Sequence, residues 1–240
     1  MSVPPVATTS SREAYDTWHL KPDIDIEANT PWHSMLKPLL LNEKLSGKRV
    51  LEIGCGRGDF SCWLAINTRA HLTAADFSFS GVTRGKELAS SLGLDIDWEV
   101  TDMQSIAHSD SSFDYVVSCD TIEHVPDPRR GVSELARVLR PGGKLFLTTP
   151  NYLNLMGLYR GYMRLKGTPF TETGQPINHL VMLPRTLRWI RHAGLRVLRH
   201  ESRGMYLPIP GRPWMLVDKL DHPRVITRWL GLHSMVVAGK

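Results

Sequence analysis

Val50-Leu51-Glu52-Ile53-Gly54-Cys55-Gly56-Arg57-Gly58-Asp59-Phe60 decides how this chain folds. From Arg49 to Ile53 the side chains are branched or leucine-like around Glu52, as in a strand buried on both faces of a parallel sheet. Glycine then takes every second position from Gly54 to Gly58. Such a turn tolerates positive φ and lets the backbone come into contact with a ligand. From Asp59 to Ile66 the spacing puts Phe60, Trp63 and Leu64 on one helical face. A helix starting just behind a strand offers unpaired N–H groups and a positive dipole end to whatever occupies the turn.

The turn reads G-x-G-x-G, not the G-x-G-x-x-G of dinucleotide sites, and Glu52 stands two positions ahead of it. This E-x-G-x-G-x-G form resembles motif I of the class I S-adenosylmethionine-dependent methyltransferases. The resemblance implies that Glu52, Gly54, Cys55, Gly56 and Gly58 lie at a cofactor site. It also implies an α/β fold: a Rossmann-like, doubly wound sheet of seven strands, mostly parallel with an antiparallel last strand, plus a helical lid and inserts.

The chain on either side is consistent with that fold. His71 to Phe77 reads as a strand ending in an acid. About 20 residues past a glycine turn, such an acid can accept the ribose hydroxyls of a nucleoside. Asp76 is expected in that role, with an N-cap for a helix over Ser78–Leu92 as the structural alternative. Phe77 is placed to stack on an adenine ring. A strand over Asp97–Val100 leads into Thr101-Asp102-Met103. In the family an acid here holds the adenine amino group and its neighbour covers the ring, which implies those roles for Asp102 and Met103. Phe113 to Ser118 is strand-like, with Cys119 at its end.

Cys119-Asp120-Thr121-Ile122-Glu123-His124-Val125 is similar to the E-x-x-E-H-V stretch of methyltransferases acting on ubiquinone precursors, with Asp120 in place of the first Glu. A helix over Asp127–Leu139, a turn at Arg140-Pro141-Gly142-Gly143 and a strand over Lys144–Thr149 follow. The L-R-P-G-G-K-L run is also family-like. Leu183 to Ala193 is expected as a helix closed by Gly194, followed by strands over Leu195–Arg199 and Leu232–Ala238. Before the glycine turn, Glu13 to Pro38 is irregular and aromatic. Thr30-Pro31 there suits an N-cap and first helical position. Family likeness implies that residues 13–45 cover the cofactor site as a lid.

The chain has 240 residues, 42% hydrophobic and 22% charged, with a formal net charge of +5. That suits one α/β domain with embellishments, here residues 13–240 with inserts at about 151–178 and 204–231. Residues 1–12 are Ser-, Thr- and Pro-rich and are expected to be disordered. They lack the basic and apolar regions of a signal peptide, and no apolar run is long enough to span a bilayer. Cys55, Cys62 and Cys119 form no C-x-x-C pair. A reducing, cytoplasmic setting is expected. No Lys/Arg-rich face or RNA-binding module is visible, so nucleic acid is not expected as a partner.

Methyl transfer from a sulfonium asks the protein mainly to orient the acceptor and exclude water, with a general base if the acceptor is a hydroxyl. The cofactor implied is S-adenosylmethionine. The expected acceptor is a small molecule, with an apolar or lipid-like one suggested by the Tyr206–Trp229 region. His124 is the first choice of base, because it follows a strand at the carboxyl edge of the sheet. His179 is the second. Alternatives are a nitrogen or carbon acceptor, a metal held through Asp120, Glu123, His124 and His179, an NAD-dependent oxidoreductase, and a cofactor-binding module without turnover.

Overall fold

β1 (Arg49–Ile53) lies inside a sheet whose other strands are β2 (His71–Asp76), β3 (Asp97–Val100), β4 (Phe113–Cys119), β5 (Leu139–Pro150), β6 (Arg196–Arg203) and β9 (His233–Gly239). The structure is a computed structural model. It describes residues 9–20, 25–167, 175, 177–207, 215–216 and 227–240. The seven-stranded order is β3-β2-β1-β4-β5-β9-β6. β1 pairs in parallel with β2 and β4, and β5 continues in parallel beyond β4. β9 runs antiparallel to both β5 and β6. A separate ribbon joins β7 (Tyr206–Leu207) to β8 (Met215–Leu216).

The chain winds outward from β1 to β3, then returns to place β4 on the other side of β1. Ligands of open α/β sheets bind at this reversal, outside the carboxyl ends of the strands. Alternate residues of each strand face opposite sides. Leu51, Val116, Leu145 and Val236 pack under α5 (Pro128–Val138) and α7 (Leu183–His192). Val50, Val117, Phe146 and Val237 pack under α2 (Pro31–Leu41) and α3 (Asp59–Thr68).

Local chemistry sets the helix ends. The Thr30 hydroxyl accepts the His33 N–H at 3.3 Å and Pro31 begins α2. Ser78 caps α4 (Phe79–Ser91) by accepting the Gly81 N–H. Asp127 caps α5. Gly194 ends α7 at φ +82°, a conformation that suits glycine.

Two expectations change. Thr9–His19 is a helix, α1, so residues 9–12 are helical and the segment expected to be irregular from Glu13 starts as helix. Its apolar and aromatic positions find a face to pack on, which composition alone does not reveal. The expected disorder of residues 1–8 lies outside the described residues. The expected turn at Arg140–Gly143 is absorbed into β5 as an irregularity: Phe113 pairs with Leu139 but Tyr115 pairs with Lys144. Five residue steps from Leu139 to Lys144 thus span what β4 covers in two, so three residues loop out of the pairing, with Gly142 at φ +77°. The stretch from residue 151 carries α6 (Leu155–Leu165), while residues 168–174 and 176, and most of the 204–231 insert, lie outside the described residues. Among the described residues no helix is long and apolar enough to cross a membrane.

Candidate active site

A cavity of about 550 Å³ opens at the carboxyl ends of β1 to β5, within the usual size for a small-molecule or cofactor site. Its walls include Glu52, Gly54, Cys55 and Gly56 at the end of β1, Asp76 and Phe77 at the end of β2, Asp102 and Met103 after β3, Cys119 at the end of β4 and His124 beyond it. Ten of the twelve positions expected from sequence line it; the exceptions are Gly58 and His179.

The glycine turn is held by its neighbours. The N–H groups of Gly54 and Cys55 both donate to the Ala75 carbonyl, at 2.7 and 3.0 Å. The Gly56 N–H donates to Asp76 Oδ2 at 2.8 Å, and the Ser78 N–H to Oδ1 at 2.8 Å. Asp76 therefore braces the turn and the start of α4 while lining the cavity. The N-cap expected as its alternative role falls to Ser78.

Gly54 and Gly58 are glycines for packing reasons. Gly54 has φ +80°, and a Cβ there would lie 2.1 Å from Thr121 Oγ1. Gly58, at φ +82°, would put a Cβ 2.4 Å from the Trp98 ring. Gly58 serves the contact between α3, α4 and β3 and does not line the cavity.

Glu52 is almost wholly buried and accepts a hydrogen bond from the Ser61 hydroxyl. Burial pushes its carboxyl up to about 8, since a low-dielectric site disfavours the charged form. Burial likewise raises the thiols of Cys55 and Cys119. They act as small apolar wall residues rather than nucleophiles. Met103 is buried against α5, its Sδ 3.0 Å from the position of a Cβ on Gly131. Asp102 Oδ1 accepts the Gln104 N–H at 2.8 Å. One face of Phe77 is taken by the Arg12 guanidinium, 4.6 Å from the ring centroid.

α1 forms a wall of the cavity through Ser11, Tyr15, Trp18 and His19, which share one helical face. Asp16 fastens it: Oδ1 accepts the Ser78 hydroxyl at 2.6 Å and the Ser80 N–H at 3.0 Å. Burial pushes the Asp16 carboxyl up, but these bonds outweigh it and hold it below its ordinary value. Arg84 Nη1 donates to the His19 carbonyl at 3.0 Å. Tyr15 donates to the Ile177 carbonyl at 3.3 Å.

His124 lies in a 3₁₀ turn (Ile122–His124) after β4. Its Nδ1 is 2.8 Å from the same Ile177 carbonyl oxygen. A carbonyl only accepts, so Nδ1 carries the proton and Nε2 is the basic nitrogen of the neutral ring. Nε2 is 3.7 Å from Glu123 Oε1, and Glu123 is buried with Oε2 accepting from Thr149. Asp120 lies in the cavity wall at φ +45°. Short Asp and Asn side chains tolerate that region better than a longer Glu, which gives a reason for the departure from E-x-x-E-H.

His179 is placed elsewhere. Its Nε2 bonds the Val125 carbonyl at 2.9 Å and its N–H donates to the Glu123 carbonyl. The side chain lines a second cavity beside Arg129, Arg185 and His192. It supports the strap that carries His124 and does not face the main cavity. The four-residue metal set is not assembled: among the described residues, no three His, Cys, Asp or Glu side chains converge as ligands.

Sequence reasoning passed over three wall residues. Tyr152, Met156 and Arg160 come from α6 and the residues before it. The Met156–Arg160 spacing of four was the available signal, an arginine in line with an apolar helix face. His33 also lines the cavity, stacked on Phe60 with centroids 4.4 Å apart. Burial lowers its pKa to about 3, so it is neutral there.

A family profile described as a methyltransferase domain matches residues 51–147. The chain is 37% identical over 107 residues to a ubiquinone biosynthesis O-methyltransferase of Coxiella burnetii, a match that covers 45% of each chain, less than half of that relative's length. It is 32% identical over 185 residues to the ubiquinone biosynthesis O-methyltransferase of Xylella fastidiosa, covering 74% of this chain and 72% of that one. A solved S-adenosylmethionine dependent methyltransferase from Mesorhizobium loti has the same fold, with a TM-score of 0.61 at 18% identity, over 90% of this chain and all of the other. Glycine turn, cavity at the strand reversal and matched relatives agree: the chain belongs to the class I S-adenosylmethionine-dependent methyltransferase family.

Proposed function

We propose that the chain moves a methyl group from S-adenosylmethionine to an oxygen of a small-molecule acceptor, with His124 as general base. The observation that carries the oxygen assignment is the tautomer of His124. With Nδ1–H tied to the Ile177 carbonyl, Nε2 is left as the proton acceptor. A hydroxyl benefits from such a base because its proton must leave as the new C–O bond forms.

When bound, the cofactor supplies an already activated methyl group on its sulfonium. The residues present fit it. The Gly54–Gly58 turn and Asp76 suit the ribose, Phe77, Asp102 and Met103 suit the base, and Glu52, Cys55 and Cys119 floor the site. The chain's own work is to hold the acceptor oxygen in line with the methyl group, keep water out and take the proton at His124 Nε2. In this reading α1 is the lid, closing the cavity with Tyr15 and Trp18.

The test is calorimetric titration with S-adenosylmethionine and S-adenosylhomocysteine, followed by transfer of labelled methyl to catechol-type acceptors. Micromolar cofactor binding and an O-methyl ether product support the reading. A folded sample that binds neither compound overturns it at the glycine turn. Label found only on nitrogen or carbon across an acceptor panel overturns the oxygen assignment.

A further inference from the structure

α6 is built inside out. Its buried side chain is Arg160, 5% exposed, whereas Leu158 is 71%, Tyr162 52% and Leu165 90% exposed. Helices in contact with a core ordinarily do the reverse. Arg160 also lines the main cavity, where a guanidinium can meet a bound anion.

The surroundings define that chemistry. The guanidinium carbon of Arg160 lies 4.3 Å from the centroid of the Tyr152 ring, a cation–π arrangement. The segment carrying both is tightly built. Tyr152 N–H donates to the Val181 carbonyl at 2.9 Å, Asn154 caps α6 through the Gly157 N–H at 3.0 Å, and a Cβ on Gly157 would collide with the Tyr152 carbonyl. A planar guanidinium held this way is suited to a carboxylate or phosphate, which it can grip with two parallel N–H bonds.

Position separates this group from the cofactor residues. Asp59, Asp76, Asp102 and Asp120 stand at or beyond the ends of β1 to β4 and make that end of the cavity acidic. Arg57, another lining cation, stands at the glycine turn, 5.9 Å from the Trp18 ring. Arg160 lies over Tyr152, which follows the end of β5 at Pro150, and the Asn151 N–H between them donates to the carbonyl of Leu232 before β9 at 2.6 Å. In the strand order β5 and β9 lie beyond β4, away from β2 and β3. His124, after β4, comes between the two ends.

We infer that the acceptor carries an anionic group, a carboxylate or phosphate, which Arg160 binds at the β5–β9 end of the cavity while the reacting hydroxyl meets His124. Tyr152, Met156 and Ile177 then flank an apolar or aromatic body. This deepens the methyltransferase reading and rests on it.

The experiment uses the full chain saturated with S-adenosylhomocysteine and three matched probe pairs: 3,4-dihydroxybenzoate with catechol, benzoate with benzamide, and phenyl phosphate with phenol. Wild type is expected to bind the anionic member at least about 10-fold more tightly in one pair or more, the scale of a charge-assisted bond. Arg160→Gln is expected to erase that preference with S-adenosylhomocysteine affinity unchanged, and Arg160→Lys to keep part of it. Unchanged cofactor affinity also reports that a variant has folded, and if Arg160→Gln does not fold, Arg160→Lys carries the comparison. No preference for the anionic member in any pair, including no binding at about 10 mM, overturns the proposal. So does a preference that survives Arg160→Gln. Failure of wild type to bind S-adenosylhomocysteine overturns the methyltransferase reading instead, so the two failures are distinct.

Discussion

Tyr15 and His124 share one acceptor: the Ile177 carbonyl receives the Tyr15 hydroxyl at 3.3 Å and His124 Nδ1 at 2.8 Å. Their rings meet edge-on with centroids 6.1 Å apart. A wall helix and the proposed base are thus tied to a single point of backbone. His124→Ala should lower kcat by about 10²-fold or more with little change in S-adenosylhomocysteine affinity, the range for loss of a general base. Steady-state kinetics beside calorimetry check this. A kcat within a few-fold of wild type would make His124 a structural residue.

Asp76→Ala should weaken cofactor binding by roughly 1–3 kcal/mol. Two losses contribute: a wall carboxylate, and the brace on the Gly56 and Ser78 N–H groups. Asp76→Asn keeps one oxygen as an acceptor and should fall between wild type and the alanine variant in titrations with S-adenosylhomocysteine. Equal affinity for all three proteins removes Asp76 from the cofactor site.

Gly54→Ala meets two separate obstacles, a collision with Thr121 and a backbone at φ +80°. The left-handed conformation alone costs about 1–2 kcal/mol for a residue with a Cβ. Adding Thr121→Gly should restore only the steric part. Denaturant unfolding of the two single variants and the double variant measures it. Full recovery in the double variant would mean that the turn relaxes and that φ is not the constraint.

Stability should depend on pH in two windows of opposite sign. Glu52 keeps its proton in the fold up to about 8, whereas its ordinary value is 4.5. Between those values the unfolded chain binds fewer protons than the folded one, so stability falls as pH rises. His33 loses its proton in the fold down to about 3, against an ordinary 6.5. In that window the unfolded chain binds more protons, so the His33 contribution falls as pH drops from 6.5 toward 3; the two oppose between 4.5 and 6.5, which leaves a net loss above 6.5 from Glu52 and below 4.5 from His33. Glu52→Gln should flatten the alkaline slope and His33→Gln the acid one. Urea unfolding across pH checks both, and wild-type slopes retained in the variants would assign the dependence to other groups.

Much of the sheet was legible because its signals are local. Arg49–Ile53, Asp97–Val100 and the Thr30 cap depend on neighbours a few residues away. What escaped depends on distant partners. α1 is held by Ser78, Arg84 and Ile177, none of which marks Thr9–His19 as helical from within. His179 reads as a second catalytic histidine until the fold turns its Nε2 onto the Val125 carbonyl. Arg160 looks like an ordinary helix-surface arginine until α6 is seen to bury it. The glycines were legible as glycines, but their reason was not: Thr121 and Trp98, far along the chain, occupy the space beside Gly54 and Gly58.

The place of β9 also has a bearing on how the chain is made. β6 joins the sheet only through β9, which is inserted between it and β5. During synthesis the first five strands can assemble as they emerge, but residues 196–203 have no partner in the sheet until residues 233–239 follow. Until then the open side of β5 is a bare edge, the kind of surface on which nascent chains associate wrongly. A ribosome stalled before residue 233 would therefore display the cofactor half of the molecule already formed and the acceptor half still waiting for its wall.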